Sequence, residues 1–150
     1  MAPIELPANF FVNSIEEKEV ILFRASKETV DPHFYICIKK TKEDVLMLAL
    51  STTQKERILK FVSINNCHPD TIVEIKPNSE DSDSVFNKHC YVNCNDVYPY
   101  TSEELKTMHD KGLLKPIGIL HQKYYEAIVN GICLSQLVDN DFQDLLNSTD

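Results

Sequence analysis

The chain has 150 residues and a mass of 17.2 kDa, the length of one domain with room for a core that needs no disulfide staples. Its 43% hydrophobic and 25% charged residues match a globular composition and exclude wholesale disorder, collagen-like repeats and membrane-embedded classes. The net charge of −8 argues against a generic nucleic-acid binder.

Along the chain, residues 13–17 (NSIEE) read as a helical turn, with Ser14 and Glu17 at capping-box spacing. Residues 19–24 (EVILFR) form the first predicted strand. After Pro32 come two strong strands, residues 33–39 (HFYICIK) and 45–50 (VLMLAL), joined by the polar link 40–44 as a hairpin. Residues 54–64 read as a short helix with Ile58, Leu59, Phe61 and Val62 near one face and Thr52 or Thr53 as its cap. Another strand covers 70–75, an acidic loop 77–84, and a short strand 90–94. Residues 102–111 form a helix capped by Ser102 and stopped by Gly112. A longer helix is expected from Gly118 through Leu134, and one or two amphipathic turns over 139–146, before the end frays. The order predicts a mainly β, α+β fold: a small, partly closed antiparallel barrel with an inserted helix and C-terminal helices. The whole chain reads as one domain, with the barrel core at about 19–100 and a helical part at about 102–146.

Residues 1–60 hold nine basic and nine acidic side chains, and 61–150 hold six and fourteen, which is the whole −8. Any polyanion site therefore belongs on the N-terminal portion. The acidic remainder is a solvated surface or a face for a basic partner. No apolar run approaches the roughly 20 residues of a membrane helix, and the N-terminus has no basic leader. Five cysteines, an odd number, point to a reducing, cytoplasmic compartment. Cys37 and Cys133 read as small buried hydrophobes. A zinc site from Cys67, His68, His89, Cys90 and Cys94 has poor spacing, because a C-x3-C pair on one strand spans about 13 Å. The three glycines form no phosphate loop, nucleophile elbow or zinc-protease motif.

Four landmarks in order carry a resemblance. They are Pro32-His33 leading an aromatic strand, the apolar strand running into Ser51-Thr52-Thr53, Lys88-His89 before Tyr91-Val92, and the Gly112-to-Gly118 stretch leading into the C-terminal helix. Over about residues 30–138 the chain resembles the diverged relatives of the PemK/MazF-like toxins. The resemblance implies an SH3-like barrel, a homodimer and a neutralising antitoxin protein. It also implies metal-independent, cofactor-free cleavage of single-stranded RNA. The Gly-rich, Arg-Pro-containing stretch usual in those toxins does not precede His33.

Such cleavage needs a base for the ribose 2′-OH, an acid for the leaving 5′ oxygen and donors for the phosphorane oxygens. The candidates are His33 and His89 as acid and base, with Thr52 and Lys88 completing the catalytic set. Arg24, Lys39, Lys40, Ser51 and Lys55 are candidate RNA contacts, continued by Lys42, Arg57 and Lys60. Tyr91 is a candidate stacking platform, with Tyr98 and Tyr100 beside it. The alternative is a non-catalytic SH3-like module that binds a protein partner through its acidic half or tyrosine-rich rim.

Overall fold

The computed structural model describes residues 8–77, 85–86 and 88–147. The acidic stretch 78–84 and the end of the chain, 148–150, lie outside the described residues. The fold is α+β. Its elements are α1 (Ala8–Ser14), β1 (Glu19–Phe23), β2 (His33–Lys40), β3 (Val45–Thr52), α2 (Lys55–Asn65), β4 (Ile72–Ile75), β5 (Cys90–Asn93), β6 (Tyr98–Thr101), α3 (Ser102–Asp110), β7 (Leu114–Ile119), α4 (Gln122–Leu134) and α5 (Asn140–Asn147). A 3-10 turn, Pro69–Thr71, leads into β4.

The seven strands form one antiparallel sheet in the order β4-β5-β3-β2-β1-β7, with β6 also on β3. Strand β3 is shared lengthwise: Val45–Leu48 pair with β6, and Ser51 and Thr52 pair with β5. The pairings describe an open sheet with β4 and β7 at its ends, where the sequence suggested a partly closed barrel.

Both faces of the sheet are covered, which explains the unbroken apolar runs of β2 and β3. On one face Val20, Ile36, Ile38 and Ala49 pack with Tyr124, Ile128 and Ile132 of α4 and Phe142 of α5. On the other, Ile21, Phe23, Tyr35, Cys37 and Leu48 pack with Phe11 and Val12 of α1 and Leu105 of α3.

Several elements differ from the sequence reading. Residues 114–119 are an edge strand rather than the approach to a helix, and α4 begins at Gln122. Pro116 is tolerated there because β7 pairs on one side only, and the register with β1 shifts between Val20 and Ile21, which face Gly118 and Pro116. Ser14 ends a helix instead of starting one, its hydroxyl donating to the Phe11 carbonyl at 2.7 Å. Thr101, not Ser102, caps α3, in a reciprocal capping box with Glu104. Helix α2 has no side-chain cap; Thr52 Oγ1 instead accepts the Gln54 backbone N–H at 3.1 Å, turning the chain toward the helix. Residues 98–101 form a strand, read from sequence only as a continuation after 90–94. Cys37 is fully buried, but Cys133 is only half-buried, with Sγ 3.6 Å from Asn147 Oδ1.

Candidate functional site

The start of β2 and the end of β3 meet at one end of the sheet. The β2–β3 register pairs Tyr35 with Leu50 and Ile36 with Ala49; carried two residues further, it sets His33 opposite Thr52. Thr52 pairs in turn with Tyr91 on β5, and Tyr91 with Glu74 on β4. Paired residues of an antiparallel sheet share a face, so His33, Thr52, Tyr91 and Glu74 form one transverse row.

Around His33 and Thr52 lies a cavity of about 220 Å³, lined also by Phe34, Ser51, Thr53 and Lys88. Three stretches far apart in sequence therefore converge: 32–34, 51–53, and Phe86 with Lys88 and Cys90. His33 Nδ1 is 3.1 Å from the Asp31 carbonyl. A carbonyl only accepts, so Nδ1 carries the proton and a neutral ring keeps the Nε2 lone pair for a ligand. Ser51 is buried and its hydroxyl donates to the Phe34 carbonyl at 3.0 Å. That bond ties β3 to β2 beside the cavity.

A second cavity, about 270 Å³, also takes His33 and Thr52 into its wall, and adds Asp31, Arg57, Asn93, Asp96 and Tyr98. The two cavities share the His33–Thr52 pair in their walls and are the two halves of the candidate site. In the second half burial pushes the Asp96 carboxyl above its usual range, opposed by a hydrogen bond from Tyr98. The Tyr98 hydroxyl is pushed up to about 12, chiefly by its own burial.

His89 does not join His33. Its ring stacks on Tyr91 with centroids 5.1 Å apart, and its Nε2 lies 2.9 Å from Glu74 Oε1. His33 and Tyr91 sit on strands two spacings apart, about 10 Å, and His89 reaches from Tyr91 toward β4, a strand further away. Glu74 also pairs with Lys76 at 3.4 Å. Its slight burial favours the neutral carboxyl, but Lys76 and His89 outweigh that and lower its pKa.

The remaining RNA candidates are dispersed. Arg24 follows β1, its backbone N–H bonded to the Leu113 carbonyl at 2.8 Å. Lys39 and Lys40 line a separate cavity of about 660 Å³ at the β2–β3 hairpin. There Lys39 lies 3.7 Å from Glu17, and Lys40 donates to the Asn13 carbonyl at 3.3 Å. Lys55 is exposed on the first turn of α2. Tyr91 is buried and packs against His89, and Tyr100 is fully buried. Tyr98 is half-buried on the groove wall.

Of the residues weighed above for zinc, His68 and Cys94 have other neighbours. His68 Nδ1 accepts the Asp70 backbone N–H at 3.0 Å. Cys94 is buried where Gly131 of α4 passes closest. Among the described residues no group of three or more His, Cys, Asp or Glu side chains is placed to hold a metal ion. Among the same residues no helix is long and apolar enough to cross a membrane.

Sequence reasoning missed Asp31, Asp96 and Glu28, which also lines the groove. Asp31 carried a signal, two residues before His33 and next to Pro32, a spacing that lets a backbone carbonyl meet the imidazole. Asp96 carried none, since its place follows from β5 crossing β3. No protein-family model matches the chain, and no curated protein matches it either.

Proposed function

We propose that the His33–Thr52–Lys88 cavity binds a phosphodiester of single-stranded RNA and cleaves it. The observation that supports this reading is the convergence of the three segments on one cavity whose polar side chains include an imidazole, hydroxyls and an ammonium. In the proposed step His33 Nε2 takes the proton of the ribose 2′-OH. The O2′ attacks phosphorus and the P–O5′ bond breaks. The Lys88 ammonium offsets the charge growing on the phosphorane and gives a proton to the departing O5′. The products are a 2′,3′-cyclic phosphate and a free 5′-hydroxyl. Thr52 and Thr53 hydroxyls donate to the non-bridging oxygens. This reading accords with the resemblance to PemK/MazF-like toxins, and with it a toxin role, an antitoxin partner and a homodimer.

The test is cleavage of a mixed-sequence RNA by the full-length protein with EDTA present. Loss of a positioned acid or base costs about 10²- to 10⁴-fold, so His33→Ala and Lys88→Ala are expected to lose activity on that scale. Well-folded wild type that cleaves no RNA of any sequence, or His33→Ala that cleaves at the wild-type rate, overturns the proposal.

A second reading is favoured by a different observation. A cavity of about 730 Å³ lies between edge strand β4 and helix α4, with Ile72, Val73, Ala127 and Leu134 in its wall. An edge strand beside a groove with both apolar and charged walls suits a protein segment, which supports the interaction-module alternative. Failure of RNA cleavage together with specific binding of a protein segment at Leu134 would favour it.

A further inference from the structure

The two cavities that share His33 and Thr52 differ in charge. The described wall of the first half contains Lys88 and no carboxylate. The second contains Glu28, Asp31 and Asp96 against a single Arg57. An anion is drawn to the first half and repelled from the second. What enters the second half beside a bound phosphate must be uncharged and rich in hydrogen-bond donors. Leu50, Ile58 and Phe61 give it an apolar wall against which a flat ring can lie.

The acceptors there are not equivalent. Glu28 Oε1 already accepts from Tyr35 and Tyr100, at 2.8 and 2.6 Å. Asp31 is exposed, whereas Asp96 is half-buried and accepts one hydrogen bond, from Tyr98, against the two on Glu28 Oε1. An ionised carboxylate only accepts, through two oxygens, and so matches an edge with two adjacent N–H donors. Guanine alone among the four RNA bases has such an edge, N1–H beside the 2-amino group. Adenine and cytosine set an acceptor beside their amino group, and uracil sets its single N–H between two acceptors. Asn93 completes the match. Its Oδ1 accepts from the Asn95 backbone and side chain, both at 3.0 Å, so its amide NH₂ is the end left to donate to guanine O6.

We propose that the Asp96–Asn93 cavity, which shares His33 and Thr52 with the cavity of Lys88, is a nucleobase subsite selective for guanine in single-stranded RNA. This inference rests on the phosphate reading above and adds a base preference to it.

The experiment follows backbone amide signals of the full-length protein titrated separately with guanosine, adenosine and inorganic phosphate. A bidentate base contact discriminates by about tenfold or more. Guanosine is therefore expected to shift Asn93 and Tyr98 signals and to bind about tenfold more tightly than adenosine. Asp96→Asn, which turns one acceptor into a donor, is expected to remove that preference. Inorganic phosphate is expected to shift Lys88 and His33. Equal binding of the two nucleosides, or guanosine that leaves Asn93 and Tyr98 unmoved, overturns the guanine subsite even where phosphate binds. Guanosine selectivity with no response at Lys88 to phosphate upholds the subsite and overturns the phosphate reading. The nucleoside comparison is made on wild type, so it stands if Asp96→Asn fails to fold.

Discussion

Tyr35 of β2 and Tyr100 of β6 donate their hydroxyls to the same carboxylate oxygen, Glu28 Oε1, at 2.8 and 2.6 Å. The Ser26 hydroxyl lies 2.7 Å from the Tyr35 hydroxyl and the Lys27 backbone N–H donates to that of Tyr100 at 3.2 Å. These bonds fasten the β1–β2 connection to two buried rings, and the same connection carries the Asp31 carbonyl that orients His33.

Glu28→Ala leaves two buried phenols without their acceptor. A stranded buried donor costs about 1–3 kcal/mol, and a stability loss of that order is expected in urea unfolding. Glu28→Gln keeps one acceptor oxygen and is expected to lose less. A Glu28→Ala variant as stable as wild type would show that the two hydroxyls find other partners.

The same pair sets an alkaline limit. Burial, with the Glu28 charge adding to it, raises the pKa of Tyr35 above 10 and pushes Tyr100 up to about 12. A phenol whose folded pKa lies above its unfolded value stabilises the fold fully below pH 10, and that contribution is lost as pH rises through the folded value. In a phenolate absorbance titration Tyr35 and Tyr100 are expected to stay un-ionised through pH 10 and to ionise only as the protein unfolds. Six tyrosines titrating together near pH 10 in folded protein would contradict this.

At the acid end the relevant group is Glu104. Its hydrogen-bonded pairing with Lys27, at 2.7 Å, and its bond from the Thr101 backbone N–H hold its pKa below the usual 4.5. Its contribution is present above pH 4.5 and is lost as pH falls through the lowered folded value. Thr101→Ala removes the other half of the capping box and is expected to cost about 1 kcal/mol. In Glu104→Gln the stability difference from wild type should shrink as the pH falls through 4, and a difference independent of pH would refute the assignment.

Gly131 in the middle of α4 is a packing requirement. A Cβ there would lie 2.8 Å from both the Asp70 carbonyl oxygen and Cys94 Sγ. Alanine gains up to about 1 kcal/mol of helix propensity, but forcing a methyl into a packed contact costs about 1–3 kcal/mol, and two of the neighbours here are backbone and buried. Gly131→Ala is expected to be net destabilising in thermal unfolding. Cys94→Ala, which removes the sulfur, should relieve part of that penalty in the double variant.

The strands that build the groove were legible because periodicity and turn chemistry agreed there. Residues 33–39 and 45–50 with their polar link gave β2, β3 and the hairpin, and the helix at 54–64 matched α2 to within a residue. Residues 114–119 misled because Pro116 and Gly118 argue against a strand by propensity, and only an edge position with a shifted register accommodates them. The landmarks at His33, at Ser51–Thr53 and at Lys88 do line one cavity. His89, beside Lys88 in sequence, lies elsewhere because Tyr91 and Glu74 hold it across β5 and β4. His33 and His89 therefore lie toward the same face but at different places along the row that runs from β2 to β4, a separation set by strand pairing and not by local sequence.

His33 lines the cavity and His89 does not, so the two histidines differ in their expected effect on cleavage. The decisive measurement is mass analysis of RNA fragments produced with EDTA present by wild type, His33→Ala and His89→Ala. The account predicts fragments ending in 2′,3′-cyclic phosphate from wild type and from His89→Ala, and a loss of about 10²-fold or more in His33→Ala. Fragments produced undiminished by His33→Ala, or abolished in folded His89→Ala, would contradict it.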